Sequence, residues 1–280
     1  MKDKFFGVVE GFYRKPYTLE QRKDLIKYLS RLGLNTYIYG PKADVYHRKK
    51  WSEPYPNQKM KEFQILSELA GKYSVIFNYA LSPMATPDIK MIIRKTSMMM
   101  EIGIQSFSLF FDDIRVPITK ETAIVQAQVA NDLFQFLCAK LSKPVLFFCP
   151  TQYRGFDKTD YLSIITHMLI KDIEIFWTGK RVVSPKITAR DIDRYLEITR
   201  RPPLIWDNLF ANDYIPGVVL KFPYRNREPS IIEKVRGIVI NPMNQYVASK
   251  PLIYTAAKFF RYPHEYNPKK AWQEATSGKF

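Results

Sequence analysis

The sequence predicts an α/β fold of the (β/α)8, TIM-barrel type, as one domain over residues 1–280. Two observations predict it. Eight apolar, β-branched and aromatic runs recur about every 33 residues, the length of one strand plus one crossover helix. Nearly every run then ends in a polar or aromatic residue that a core strand would not choose. In a barrel all those ends open on one face, where active sites are built. A doubly wound open sheet shares the alternation, but the unit count and the lined-up ends favour the barrel.

The first run, FFGVVEGFY (5–13), is followed by TLEQRKDLIKYLSRLGL. That segment places Leu19, Leu25, Ile26, Leu29 and Leu32 on one helical stripe, with Thr18 as the N-cap and Gly33 as the stop. The runs TYIYGP (36–41), SVIFNYAL (74–81) and SFSLFFDD (106–113) come next. ITKETAIVQAQVANDLFQFLCAKL reads as a helix, followed by VLFFCPT (145–151), IEIFWTG (173–179), PLIWDN (203–208) and GIVINPM (237–243). In QYVASKPLIYTAAKFF, also helical, Pro251 is expected to kink or delimit the helix. The ends of the runs carry Tyr13, Lys42, Ser82, the pair Asp112–Asp113, Tyr153, Thr178, Asn208 and Asn241.

Composition narrows the function classes. No segment approaches the roughly 18 apolar residues of a membrane span. The opening MKDKFFGVVEGFY has a charged tip but too short an apolar run for a signal peptide. Cys138 and Cys149 lie in apolar contexts without metal-type spacing, and read as buried, reduced thiols of a cytoplasmic protein. No structural metal and no cofactor is expected. The net charge of +16 raises the question of a nucleic acid or an anionic polymer. The basic residues are dispersed, however, and join no nucleic-acid-binding motif, so no nucleic-acid partner is expected.

Three chemistries use paired acids such as Asp112–Asp113. A hard metal ion wants more oxygen ligands than this pair supplies, and no other acidic residue clusters with it in the sequence. A proton-sharing dyad for peptide hydrolysis takes its acids from two Asp-Thr/Ser-Gly loops, which are absent here. Glycoside hydrolysis fits the company best. Trp206, Tyr153 and Tyr13 offer flat apolar faces for a pyranose ring, while Asn208, Asp213 and Asn241 offer partners for hydroxyls. Neighbouring residues of an ideal strand point to opposite faces, so both acids reach one substrate only if the strand end bends into a loop.

The motifs GVVEGFY, NTYIYGPKAD, FFDDI, CPTQY, IWDNLFANDY and NPMNQ, in this order, resemble the catalytic domain of family 84 glycoside hydrolases. That family comprises β-N-acetylglucosaminidases, including protein O-GlcNAcases and bacterial enzymes once called hyaluronidases. The resemblance runs from about residue 5 to about 275. It implies a retaining exo-enzyme in which the substrate's own 2-acetamido oxygen attacks C1 and forms an oxazoline. Asp112 would orient and polarise the acetamido N–H. Asp113 would protonate the glycosidic oxygen and then activate water. The resemblance further implies that Tyr153 and Trp206 wall the acetamido methyl, with Asn208 bonding near the acetamido group. Gly11, Lys42, Asp213 and Asn241 would hold hydroxyls, and Thr178 and Val182 would line the pocket. The implied partner is a GlcNAc-bearing glycoprotein or oligosaccharide.

Departures from the family pattern are Arg14, Ala43, Val45 and Gln152, where glycine, aspartate, proline and glutamate are usual. None is a residue assigned to the chemistry; Arg14 and Ala43 fall on expected rim loops and bear on the aglycone. The resemblance covers the barrel and not the helical stalk of eukaryotic members. Two rival readings remain at this level: a hyaluronan- or chitin-type oligosaccharide hydrolase, and a sugar- or nucleic-acid-binding pseudoenzyme. Intact Asp112, Asp113, Tyr153, Asn208 and Asp213 argue against the latter.

Overall fold

The computed structural model describes residues 4–215 and 217–277. Eight parallel strands close into a barrel in sequence order, with β8 pairing back to β1. The strands are β1 (Phe5–Glu10), β2 (Thr36–Tyr39), β3 (Ile76–Leu81), β4 (Ser106–Phe110), β5 (Val145–Cys149), β6 (Glu174–Trp177), β7 (Leu204–Asp207) and β8 (Gly237–Ile240). Each falls inside one of the eight apolar runs, so the expected fold is the observed one.

Between the strands lie α1 (Leu19–Arg31), α2 (Asn57–Lys72), α3 (Ile89–Glu101), α4 (Lys120–Lys140), α5 (Asp160–Met168), α6 (Ala189–Thr199) and α7 (Ile231–Lys234). After β8 come α8 (Tyr246–Arg261) and α9 (Pro268–Thr276). The α1 signals act as expected. Thr18 and Gln21 form a reciprocal capping box, and Gly33 takes a left-handed φ of 70° just past the end. Thr188 and Asp191 form a second capping box on α6, and Thr119 and Thr159 accept the N3 amides of α4 and α5, so four helices start on a threonine at the mouth side of the barrel. The β7–β8 crossover departs from the pattern: its helix α7 is one turn, and most of the connection is loop.

Two expectations need correction. Cys138 is exposed, and only Cys149 is buried. The apolar stretch around Cys138 is helical, and a step of about 100° past buried Leu137 turns the thiol outward. Pro251 does not delimit its helix, because α8 continues through it. The hydrogen bond lost at Pro251 would have ended on the carbonyl of Val247, a first-turn residue that is 75% exposed and open to water.

The core has two layers. Inside the barrel pack Phe5, Val9, Ile38, Ala80, Phe110, Phe147, Phe176, Leu204, Trp206 and Val239. Between strands and helices lies the larger layer, which takes the alternate strand residues such as Val8, Tyr37, Tyr39, Phe111 and Trp177. The period of two therefore sorts every strand between barrel interior and outer layer.

Candidate active site at the mouth of the barrel

The inward series continues past the core. One inward step beyond Val9, Phe110, Phe176, Trp206 and Val239 come Gly11, Asp112, Thr178, Asn208 and Asn241. All five line a cavity of about 440 Å³ at the C-terminal ends of the strands. Lys42, Asp113, Tyr153, Val182 and Asp213 reach it from loops, and Trp206 forms part of its wall. Every residue singled out as a candidate thus lies on one cavity. Of the polar strand-end residues only Ser82 does not line it; it is buried instead.

Asp112 sits at the cavity wall and is 6% exposed. Its Oδ2 accepts from the Lys42 ammonium, itself almost wholly buried. Its Oδ1 is buried without a hydrogen-bond partner. Lys42 also lies 5.5 Å from the ring centroids of Phe110 and Trp206, so aromatic faces help to hold the cation.

Asp113 follows β4 by three residues and should alternate away from the cavity. Instead its φ is 51°, in the left-handed region, and this reversal turns the carboxylate over the mouth. The bend that both acids require is therefore one residue long. Tyr153 donates to Asp113 Oδ1 at 2.7 Å and Tyr13 donates to Oδ2 at 3.0 Å. Burial first, and the Asp113 charge second, push the Tyr13 hydroxyl up to about 12 and the Tyr153 hydroxyl far above the usual phenol range. Both phenols stay protonated and donate throughout the physiological range.

The opposite wall is a polar chain. Trp206 Nε1 donates to Asn208 Oδ1 at 3.0 Å, and Asn241 Nδ2 donates to the same oxygen at 2.9 Å. Asn208 Nδ2 donates to the Val182 carbonyl at 2.8 Å, and the Gly11 amide donates to Asn241 Oδ1 at 3.2 Å. These bonds fix the asparagine orientations. A Cβ on Gly11 would stand 2.2 Å from Trp206 Cζ2, so glycine is what lets the indole face the cavity. Asp213 Oδ2 accepts the Tyr13 amide at 2.7 Å, which ties the loop after β7 to the loop after β1.

Sequence reasoning did not place Cys149, Val183, Ala211 and Tyr214, which also line the cavity. Cys149 was legible, because it sits one inward step after Phe147. Its thiol is raised far above the usual range by burial first and the Asp112 charge second, which keeps it protonated and unreactive. The other three lie on loops, where no period marks them. Close to Lys42 lies His47, fully buried, with Nδ1 2.8 Å from the Ala80 carbonyl and Nε2 without a partner. Burial first and the Lys42 charge second hold its pKa down to about 3. Among the described residues, no group of three His, Cys, Asp or Glu side chains is placed to hold a metal ion.

Comparison with known proteins agrees with this geometry. Residues 6–279 match a family model described as beta-N-acetylglucosaminidase. Protein O-GlcNAcase of Rattus norvegicus and that of Mus musculus are each 35% identical over 275 residues, covering 91% of this chain. The chain spans only 30% of the length of either relative. The solved structure of a point variant of the Thermobaculum terrenum O-GlcNAc hydrolase superposes with a TM-score of 0.93 at 34% identity. That superposition covers 98% of this chain and 63% of the other. The family match spans nearly the whole barrel, and the chain belongs to the beta-N-acetylglucosaminidase family.

Proposed function

We propose that this protein is a retaining exo-β-N-acetylglucosaminidase acting by substrate-assisted catalysis, with GlcNAc O-linked to protein as its substrate. The observation that carries the reading is the vacant acceptor on Asp112. A buried carboxylate oxygen without a donor is costly, and a bound group that brings an N–H relieves the cost. The 2-acetamido group of GlcNAc brings that N–H. Once it donates to Asp112 Oδ1, the amide carbonyl is polarised and its oxygen is turned toward C1. Lys42, bonded to Oδ2, holds the carboxylate in place.

The reaction then divides between the two acids. The amide oxygen bonds to C1 as the C1–aglycone bond breaks, and Asp113 supplies a proton to the departing oxygen. Water next attacks C1, Asp113 takes its proton, and the oxazoline reopens to the acetamide with retained configuration. Asp113 suits this role because it stands at the mouth, where an aglycone must lie. Tyr13 and Tyr153 accommodate either of its protonation states. Trp206, Tyr153, Val182 and Thr178 wall the acetamido end, while Gly11, Lys42, Asn208, Asp213 and Asn241 supply partners for hydroxyl and amide groups.

Residues 1–280 are read as one catalytic unit. This is supported by the closed barrel and by α9 packing onto α8 through the Tyr254–Glu274 bond of 2.9 Å. A reducing, cytoplasmic setting is supported by two free cysteines, one of them exposed. No helix among the described residues is long and apolar enough to cross a membrane.

The test is a pair of aryl glycosides that differ only at C2. The N-acetylglucosaminide should be hydrolysed with retention and blocked by a thiazoline that mimics the bicyclic intermediate. The glucoside, lacking the acetamide, should be inert. Equal rates on the two would overturn the mechanism. Hyaluronan cleavage without release of GlcNAc from glycosylated protein would overturn the substrate assignment.

A further inference from the structure

Arg48, on the loop between β2 and α2, belongs to none of the residues that line the cavity, yet its guanidinium grips the mouth. Nη2 donates to the main-chain carbonyl of Asp113 at 3.0 Å. Nη1 donates to the Tyr13 hydroxyl at 3.3 Å, and that hydroxyl donates to Asp113 Oδ2 at 3.0 Å. The three residues close a ring in which one guanidinium holds both the backbone and, through a phenol, the carboxylate of the same aspartate. Arg48 itself is 8% exposed, while the Tyr13 and Asp113 side chains it holds stand open at the mouth.

The ring answers a question left by the backbone. Asp113 holds a left-handed φ of 51°, which a non-glycine residue keeps only when its surroundings impose it. The Arg48 bond to its carbonyl is one such imposition. We propose that Arg48 is a positioning residue, which locks the reversed turn at Asp113 and, through Tyr13, aligns the carboxyl that protonates the leaving group.

The inference rests on reading Asp113 as the proton donor. The groups that face Asp113 are Tyr13 from the loop after β1, Lys42 and Arg48 from the loop after β2, its neighbour Asp112, Cys149 at the end of β5, and Tyr153 from the loop after β5. Arg48 is the cation bonded to Asp113 itself, whereas Lys42 is bonded to Asp112. A planar fork makes both bonds at once, and a lysine ammonium has no such fork.

The test compares Arg48→Met and Arg48→Lys with the unmodified protein on two N-acetylglucosaminides. One carries an activated aryl leaving group that departs with little proton assistance. The other carries a serine-like alkyl leaving group that needs a full proton. Arg48→Met should lose about a hundredfold in kcat/KM on the alkyl substrate and only about fivefold on the aryl one. Arg48→Lys, which keeps the cation but not the fork, should also lose more on the alkyl substrate than on the aryl one. Equal losses on both substrates would mean a merely structural role and overturn the inference, as would no loss. If Arg48→Met fails to fold, the selectivity of Arg48→Lys between the two substrates decides in the same sense. An unmodified protein inactive on both substrates would instead overturn the proposed function, and this inference with it.

Discussion

Three buried ion pairs stand at the mouth end of the barrel, and they are built to opposite ends. Glu10 and Asp207 face the outer layer. Glu10 accepts from Arg22 at 2.7 and 2.9 Å, from the Tyr17 amide at 2.9 Å and from the Tyr37 hydroxyl at 2.5 Å. Asp207 accepts from Arg227 at 2.6 and 2.7 Å, from the Tyr224 hydroxyl at 2.7 Å and from the Leu209 amide at 3.0 Å. Each carboxylate thus takes two donors on each oxygen. Asp112 faces the cavity, receives Lys42 on one oxygen and has nothing on the other. A bidentate arginine closes a site, whereas a lysine point charge leaves half of a carboxylate open. The saturated pairs fasten helix α1 and the loop before β8 to the barrel, and under the proposed function the half-filled pair is the one left for a ligand.

That contrast can be broken experimentally. Asp112→Asn keeps the shape but cannot accept from the acetamide as a carboxylate does. It should lower kcat/KM on an aryl N-acetylglucosaminide about a thousandfold, or about 4 kcal/mol, with a smaller loss of stability than the Asp207 change below, because the amide oxygen can still accept from Lys42. A smaller rate loss accompanied by a large drop in melting temperature would make Asp112 a third structural pair. Asp207→Asn should do the reverse. It strands the fully buried Arg227 guanidinium and should cost about 3 kcal/mol of stability by urea denaturation. What folds should keep most of its activity; selective loss of turnover in stable protein would move Asp207 to the catalytic side.

His47 sharpens the comparison at smaller amplitude, because its Nε2 is the second buried side-chain atom left open. Its folded pKa of about 3 lies below the usual 6.5, so the unfolded chain binds more protons between those values. Its contribution to stability is complete above about pH 6.5 and is lost as pH falls toward 3. Between pH 7 and pH 5 that amounts to about 2 kcal/mol. Urea titrations at both pH values should give His47→Asn a flatter dependence than the parent by this amount. An equal slope would mean that His47 titrates normally.

Much of this was legible in the sequence, for a reason that lies in the pleat. A period of two runs through Val9 to Gly11, Phe110 to Asp112, Trp206 to Asn208 and Val239 to Asn241, so core positions point to cavity positions one step on. The eight runs and the capping threonine of α1 were readable for equally local reasons. Val182 lies on a loop, and only resemblance to a family indicated it. The reversal at Asp113, the reach of Arg48 and the outward turn of Cys138 had no sequence signal. The first two depend on loops meeting in space, and the third on the rotation of a helix whose neighbouring letters are apolar.

The bond from the Gly11 amide to Asn241 joins positions 230 residues apart, across the seam where the first strand meets the last. A chain emerging from a ribosome can therefore lay down Lys42, Asp112 and Tyr153 long before the wall opposite them exists. Under the proposed function, sugar binding has to wait for ring closure, and loop-closure entropy makes that late pairing slow. Glycoside turnover in a refolding experiment would then report the final sealing of the cylinder, lagging behind the helical signal that the earlier units produce.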